Sequence, residues 1–329
     1  MPEGEPKFED ENIEPDRPER RSSVMKVIGA TPEQERQVMD DFEEILETQS
    51  TDIWETEKWD KEKTEYEKEI IDRIVRNLPD FVRSYGGVPI QLTVDNFHIL
   101  DTKVMKKDMD EGDGRAGHHL RSDGFANLPD QRIVALDYPQ NAYKEELLVH
   151  EAMHLESFNS VKYFEFHTDD KKQRIENSAR LFQTRSGFDM QKGYGDLRLH
   201  AFSEGITQAL TIKFMQKTHP IPEIGEMLGH ITSEGKFTGE VKGRLNEVNL
   251  VRKIMKDIRS YFPKEFPTED DVFKIFAEGY FSGNMLATAR LIEKRYGKGS
   301  FRYLAEKDSI PKHNDLPINR ATGRNKKYA

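Results

Sequence analysis

The stretch that decides the fold runs from residue 147 to residue 155 and reads Leu147-Leu148-Val149-His150-Glu151-Ala152-Met153-His154-Leu155. Apolar residues flank a His-Glu-x-x-His core on both sides, which predicts a buried helix. Because four residues make about one helical turn, His150 and His154 project from the same face of that helix. Two imidazoles placed in this way can converge on one zinc ion.

Glu151 follows the first of these histidines directly. This offset keeps its carboxylate off the metal but within reach of a metal-bound water, where a general base has to be. Burying two imidazoles and a carboxylate without partners is costly, and a metal ion offers them a common partner. The sequence therefore predicts a Zn²⁺ site with His150 and His154 as ligands and Glu151 as the catalytic base. A pair of hydrogen-bonded core histidines is the alternative interpretation.

Composition narrows the classes of function. The chain has 329 residues, a formal net charge of −10 and no cysteine, so any metal must be held by His, Asp or Glu. The acidic balance argues against nucleic acid as the main partner. No apolar run approaches membrane-spanning length, and the acidic N-terminus does not resemble a secretory signal. We therefore expect a cytoplasmic protein with no membrane partner; its oligomeric state is left open.

Composition and apolar periodicity also predict the organisation of the chain. We expect a disordered acidic tail over residues 1–29, a charged helical extension over 30–66, a compact domain over 67–308 and a flexible basic tail over 309–329. Within the compact domain, strands are predicted over 89–100 and 132–136, and helices from 143 and over 197–215, 243–260, 269–280 and 283–295. The predicted fold is α+β, with a small twisted β-sheet packed on helices and a mainly helical C-terminal half.

The helix around His150 resembles the active-site helix of the zincin metallopeptidases. Residues 155–160 lack the Gly and His with which the metzincin branch continues. The better match is to gluzincins of the thermolysin-like type, whose third ligand is a Glu on a later helix. The string Glu204-Gly205-Ile206-Thr207-Gln208-Ala209-Leu210-Thr211 is similar to that helix in many bacterial gluzincins. The resemblance covers residues 85–305, with the charged segment 168–192 as an insertion.

This resemblance implies a zinc metallopeptidase acting on a peptide or protein substrate, with Glu204 as the third metal ligand. His200, one turn earlier on the same helix face, is the competing ligand, whereas Glu156 lies too close to the motif to converge on the same ion. Thr207 and Gln208 are candidates to orient the ligands. Their alternative is an ordinary polar role on the helix.

Three further features lead to predictions about the oxyanion donor, the strand that pairs with substrate and a loop. Tyr280 is the candidate donor of a hydrogen bond to the oxyanion, a role for which Tyr194 and His200 are alternatives. The strand 132–136 corresponds in zincins to the edge strand that pairs with an extended substrate, unless it is simply a central strand. His118 and His119 are interpreted as loop residues.

Two other classes of function remain open at this stage. In the first, the chain is a catalytically inactive zincin-like scaffold or regulatory protein in which zinc is structural. In the second, it is a toxin or effector protease that acts on a single protein, a role with which the charged tails are compatible.

Overall fold

The structure is a computed structural model that describes residues 19–20, 22–48, 59–104, 123–128, 131–138, 141–164, 180–191, 197–218, 244–307 and 309. Over these residues the chain combines α-helices with two small β-sheets, which is compatible with the predicted α+β class. Among the described helices, none combines the length and the apolarity that crossing a bilayer requires. The predictions made for His118, His119 and Tyr194, and for nearly all of the C-terminal tail, fall outside the described residues.

Eight α-helices lie within the described residues. They are α1 (Pro32–Thr48), α2 (Glu65–Arg83), α3 (Asn141–Glu156), α4 (His200–Thr218), α5 (Leu245–Tyr261), α6 (Glu269–Ser282), α7 (Met285–Tyr296) and α8 (Ser300–Lys307). A 3-10 turn spans Val94–Asn96. The helices predicted from 143 onward are confirmed as α3 to α7.

The strands are β1 (Val24–Ile28), β2 (Phe97–Leu100), β3 (Gly124–Asn127), β4 (Arg132–Leu136), β5 (Asn159–Phe164), β6 (Arg180–Ser186), β7 (Asp189–Gln191) and β8 (Leu197–Arg198). The larger sheet has the order β1-β5-β6-β7-β8, in which only the β1–β5 pair is parallel. The smaller sheet has the order β2-β4-β3, with β2 parallel and β3 antiparallel to β4.

The strand predicted over 132–136 forms, but it does not lie at an edge. It is paired on both sides. Its residue Ile133 lies opposite Phe97 of β2, and its residue Ala135 lies opposite Gly124 of β3. Its backbone groups therefore make hydrogen bonds to a neighbouring strand on each side. The expectation of an edge strand that pairs with substrate is wrong for β4. The strand next to the cleft described below is β3.

The strand predicted over 89–100 is shorter than expected. Only Phe97–Leu100 is a strand, and Ile90 makes an isolated bridge with Arg20. Between them, the side chain of Asn96 accepts a hydrogen bond from the backbone N–H of Thr93 at 2.7 Å and closes a turn. Asn and Asp favour such side-chain-closed turns over an extended ladder, which explains the interruption.

One apolar core joins most of these elements. Helix α2 begins at a capping box, in which the side chains of Thr64 and Glu67 satisfy each other's backbone N–H groups, and its buried stripe faces α3 and α4. Helix α3 is buried on most sides, and its residues Leu148, Val149, Ala152 and Met153 are fully buried. The His-Glu-x-x-His motif on this helix therefore lies in the interior of the fold.

The N-terminal region corrects two predicted boundaries. Residues 24–28, expected to be disordered within the tail 1–29, form β1 and pair with β5. Trp59, assigned to the charged extension 30–66, is buried against Leu100 and Val134, so the compact fold begins well before residue 67. In both cases the residues that pair with or pack against these segments lie far away in sequence, so they cannot be predicted from local composition.

The predicted insertion over 168–192 also needs correction. Its described part supplies β6 and β7, which are the third and fourth strands of the larger sheet. Gln183 and Ser186 of β6 also line the cleft described below. This segment is therefore part of the sheet architecture.

Candidate metal centre

The ends of two helices bring three metal-ligating side chains together. Nε2 of His150 lies 3.4 Å from Oε2 of Glu204, and Nε2 of His154 lies 3.3 Å from Oε1 of the same carboxylate. The two Nε2 atoms are 3.1 Å apart. One ligand atom from each of the three residues lies within 4.8 Å of the others. The structure thus brings together the His, His and Glu that the sequence selected as ligands.

Close helix packing places Glu204 at this point. The next residue, Gly205, faces α5 so closely that a Cβ atom there would collide with the Glu247 carbonyl and the Val251 side chain. A glycine at this position therefore lets α5 approach α4 beside the Glu204 carboxylate. As a result, Arg244 and Glu247, at the start of α5, line the same cleft as Glu204.

A chain of hydrogen bonds orients the ring of His150. Its Nδ1 lies 3.0 Å from Oε1 of Gln208, and the amide of Gln208 donates to Oε1 of Glu146 at 2.5 Å. An ionised carboxylate can only accept, so the amide NH₂ faces Glu146 and the amide oxygen faces the ring. His150 then carries its proton on Nδ1, which leaves the lone pair of Nε2 to accept from the guanidinium of Arg244, beside Glu204 and His154. This contact favours the orienting role predicted for Gln208 over the role of an ordinary helix residue.

Both imidazoles are held in the neutral form that metal binding requires. Burial, followed by the charges of Arg244 and His154, lowers the pKa of His150 well below its ordinary value, and the contact with Gln208 opposes this shift. Burial also lowers the pKa of His154, against the opposing charge of Glu151. A neutral imidazole offers a nitrogen lone pair, whereas a protonated one does not.

Glu151 lines the same cleft as His154 and Glu204. Glu151 is only 4% exposed. Burial raises the pKa of its carboxyl group, and the charges of His154 and Arg244 oppose this shift. A carboxylate with a raised pKa is a stronger base than a solvated one. The cleft is lined by Gly124, Phe125, Ala126, Leu128, Glu151, His154, Gln183, Ser186, His200, Glu204, Arg244 and Glu247.

Arg244 is a residue of this centre that the sequence analysis missed. Its guanidinium contacts both the Glu204 carboxylate and Nε2 of His150. A cation held by these acceptor atoms therefore competes with the guanidinium for them. Arg244 follows a segment of low apolar content and precedes α5 directly, and no local pattern marks it as part of a site.

His200, the competing ligand, is placed differently from Glu204. Its Nδ1 lies 2.8 Å from Oδ2 of Asp189, and about half of its side chain is exposed to the cleft. Asp189, His200 and Glu204 also form a group whose ligand atoms lie within 4.8 Å of one another. The geometry therefore places Glu204 beside both motif histidines and His200 on the adjoining side of the cleft.

Tyr280 lies behind the cleft and does not line it. The residue is fully buried, and its hydroxyl contacts Oγ1 of Thr207 at 2.8 Å and the carbonyl of Met153 at 3.2 Å. The predicted role as oxyanion donor therefore does not fit its position, because its hydroxyl joins α6 to α3 and α4 from the core side. Thr207 takes part in the same contact and does not touch a ligand residue in the described hydrogen bonds.

Comparisons with known proteins return no match, whether against protein-family models, curated proteins or solved structures.

Proposed function

We propose that this protein is a zinc-dependent metallopeptidase of the zincin type, with His150, His154 and Glu204 as metal ligands and Glu151 as general base. The observation that carries the proposal is the convergence of the three ligand side chains beside a buried carboxylate in an open cleft. The resemblance to gluzincins adds the order of the motifs, with a helix bearing both histidines followed by a helix bearing the Glu. The proposal extends to a peptide or protein substrate.

The donor set fits zinc. Two neutral imidazoles and one carboxylate are a ligand combination that catalytic zinc uses, and the described residues contain no cysteine to favour a softer metal. The hydrogen bond from Nδ1 of His150 to Gln208 supplies the outer support that such ligands normally have. A zinc ion held here would supply a Lewis acid that polarises a carbonyl group and lowers the pKa of water.

The residues of the chain itself account for the proton transfers. Glu151 takes a proton from the attacking water and later delivers it to the departing amine nitrogen. His200 faces the cleft with Nδ1 held by Asp189, and as an imidazolium it can donate from Nε2 to the oxygen of the scissile carbonyl. In this assignment His200 replaces Tyr280, whose hydroxyl is held in the core.

The shape of the cleft supports an extended peptide as substrate. The lining includes Gly124, Phe125 and Ala126 of β3 and Gln183 and Ser186 of β6. Extended backbone from two strands in the lining favours a ligand that is itself extended. The apolar character of the β3 residues and the polar character of the β6 residues favour a polypeptide over a small polar metabolite.

The deciding experiment combines metal content with hydrolysis. The purified full-length chain is expected to bind one zinc and to cleave an unbiased peptide mixture in a chelator-sensitive manner. Glu151→Gln should keep the metal and abolish cleavage, whereas His150→Ala, His154→Ala and Glu204→Ala should lose both. Full cleavage by Glu151→Gln contradicts the general-base assignment, and unchanged zinc in Glu204→Ala moves the third ligand to His200.

One observation favours a second candidate, an inactive zincin-like protein with structural zinc. His200 shares a potential ligand group with Glu204, and a fourth protein ligand would close the coordination that catalysis leaves open. The two candidates differ in the effect of His200→Ala. In the peptidase this variant retains zinc and loses rate, whereas in a four-ligand site it loses zinc and there is no cleavage to lose.

A further inference from the structure

The last turn of α3 carries the second motif histidine, and its carbonyl groups have no partners within the helix. The hydrogen bonds of the structure show where each of these groups finds a partner. The carbonyl of His154 accepts from Oγ of Ser157 at 2.7 Å and from Nδ2 of Asn159 at 3.1 Å. The carbonyl of Leu155 accepts from Nδ2 of Asn159 at 3.1 Å and also from a residue much earlier in the chain, Arg20, which donates to the carbonyl of Glu156 as well.

The guanidinium of Arg20 acts as a cap for this helix end. Its Nη2 donates to the carbonyls of Leu155 at 3.1 Å, Glu156 at 2.7 Å and Ser157 at 3.3 Å. Its Nε donates to the carbonyl of Val88 at 2.9 Å, and Nη1 donates within its own segment to the carbonyl of Ser23 at 2.5 Å. Only 12% of the side chain is exposed. A cation at a helix C-terminus also complements the helix dipole.

The same segment also contacts the residue that follows β3. Oγ of Ser23 donates to the carbonyl of Leu128 at 2.7 Å, and Leu128 lines the cleft directly after β3. Residues 24–28 then pair in parallel with β5, the strand that follows the motif helix. Arg20 and residues 22–28, here named the N-terminal clamp, thus contact both α3 and the end of β3.

We infer that Arg20 is a positioning residue for the metal centre, and that the N-terminal clamp holds the last turn of α3 and the cleft wall at a fixed separation. This inference rests on the proposed function, because it assigns the clamp to the proposed zinc site. His154 lies in the turn that Arg20 caps, whereas His150 lies one turn deeper. Loss of the cap therefore loosens one ligand relative to the other, and a loosened ligand weakens the metal.

The test measures zinc affinity by competition with a chelating dye, using the full-length chain and its variants. Arg20→Met should weaken zinc binding by about tenfold, the lower range for losing an outer contact of a ligand, and Arg20→Lys should restore part of the loss because it keeps the charge. The matched control is Ile292→Ala, in which a buried residue of α7 is truncated far from the clamp. A globally destabilised chain that remains folded binds metal normally, so this control should not change the affinity.

Hydrogen exchange gives a second readout that does not depend on the metal. Arg20→Met should speed amide exchange over residues 150–158 and 124–128 and leave residues 269–296 unchanged. If Arg20→Met does not fold, Ser23→Ala provides a milder variant that removes the contact with Leu128, and it should speed exchange over 124–128. The backbone pairing of Arg20 with Pro89 and Gln91 survives either change.

The outcomes separate the two proposals. A wild-type chain that binds no zinc overturns the proposed function. Wild-type binding with equal affinity in Arg20→Met, or unchanged exchange over residues 150–158, overturns the positioning role of Arg20 alone. An equal loss of zinc affinity in Arg20→Met and Ile292→Ala also overturns it, because the effect would then follow general stability.

Discussion

Nδ1 of His150 lies 3.0 Å from Oε1 of Gln208, and this contact decides which nitrogen of the ring faces Glu204 and His154. The amide of Gln208 is itself oriented by Glu146, so three residues from α3 and α4 form one directed chain of hydrogen bonds. These hydrogen bonds keep Nδ1 of His150 protonated and its Nε2 free of a proton. The proposed metal site therefore depends on a residue that is not a ligand.

The first prediction concerns this support. Gln208→Leu removes the acceptor for Nδ1 while keeping a side chain of similar length, and we expect zinc affinity to fall by roughly 10- to 100-fold. Gln208→Glu keeps the acceptor for Nδ1 but replaces the donor to Glu146 by a second carboxylate, so its affinity should fall between those of the wild type and Gln208→Leu. Dye competition at neutral pH measures both variants. Wild-type affinity in Gln208→Leu would show that the ring needs no such support.

The second prediction concerns Arg244, whose guanidinium contacts Glu204 and His150. It competes with a cation for these atoms and repels it through its own charge, so both effects oppose metal binding. Arg244→Met should raise zinc affinity by about tenfold or more, the scale of one unit charge removed from a partly buried site. Lower affinity in this variant would mean that Arg244 supports the ligands. Arg252→Met, on the same helix but outside the cleft lining, is the control.

The third prediction tests the position of Tyr280. Tyr280→Phe removes a hydroxyl that contacts Thr207 and the Met153 carbonyl. The Met153 carbonyl also accepts from the N–H of Ser157, so no buried group loses its last partner. We expect a loss of about 1 kcal/mol in the free energy of unfolding, measured by urea denaturation, with the rate of peptide cleavage retained. A large loss of rate at unchanged stability would restore the catalytic role predicted from the sequence.

Local patterns account for the features that were predicted correctly. The helix around His150 and the helix around Glu204 are apolar over several turns, and each signal is contained in its own segment. The ligand spacing within a single helix follows from the helical repeat alone. These are the parts of the site for which tertiary contacts are not needed.

The missed features depend on contacts between distant segments. Arg20 falls within the predicted disordered tail because the composition around it is acidic and rich in Pro. The short β-forming run Val24–Ile28 is the local feature that indicates an ordered strand in this region. The side chain of Arg20 is buried by carbonyl groups more than 130 residues away. Arg244 and the central position of β4 likewise follow from packing partners that no local periodicity encodes.

The last prediction concerns acid stability and a buried ion network away from the cleft. Oε1 of Glu67 accepts from Nζ of Lys144 at 2.5 Å, and Lys61 lies 3.0 Å from the same oxygen. Burial raises the pKa of Glu67, but the hydrogen bonds from Lys144, Thr64 and Lys61 outweigh it and hold the pKa at about 2. The folded state thus favours the ionised form relative to the unfolded chain, whose ordinary value is 4.5.

The sign of the effect follows from this lowered pKa. Glu67 stabilises the fold fully above pH 4.5, and its contribution is lost as the pH falls from 4.5 towards 2. Glu67→Gln should therefore lower the free energy of unfolding by about 2 kcal/mol at pH 7, the range for a hydrogen bond to a charged group, and the difference should shrink below pH 4.5. Glu65→Gln, which breaks an exposed pair with Lys68 on the same helix, should change little at either pH. A difference between wild type and Glu67→Gln that persists unchanged at pH 2 would mean that Glu67 acts through packing and not through its charge.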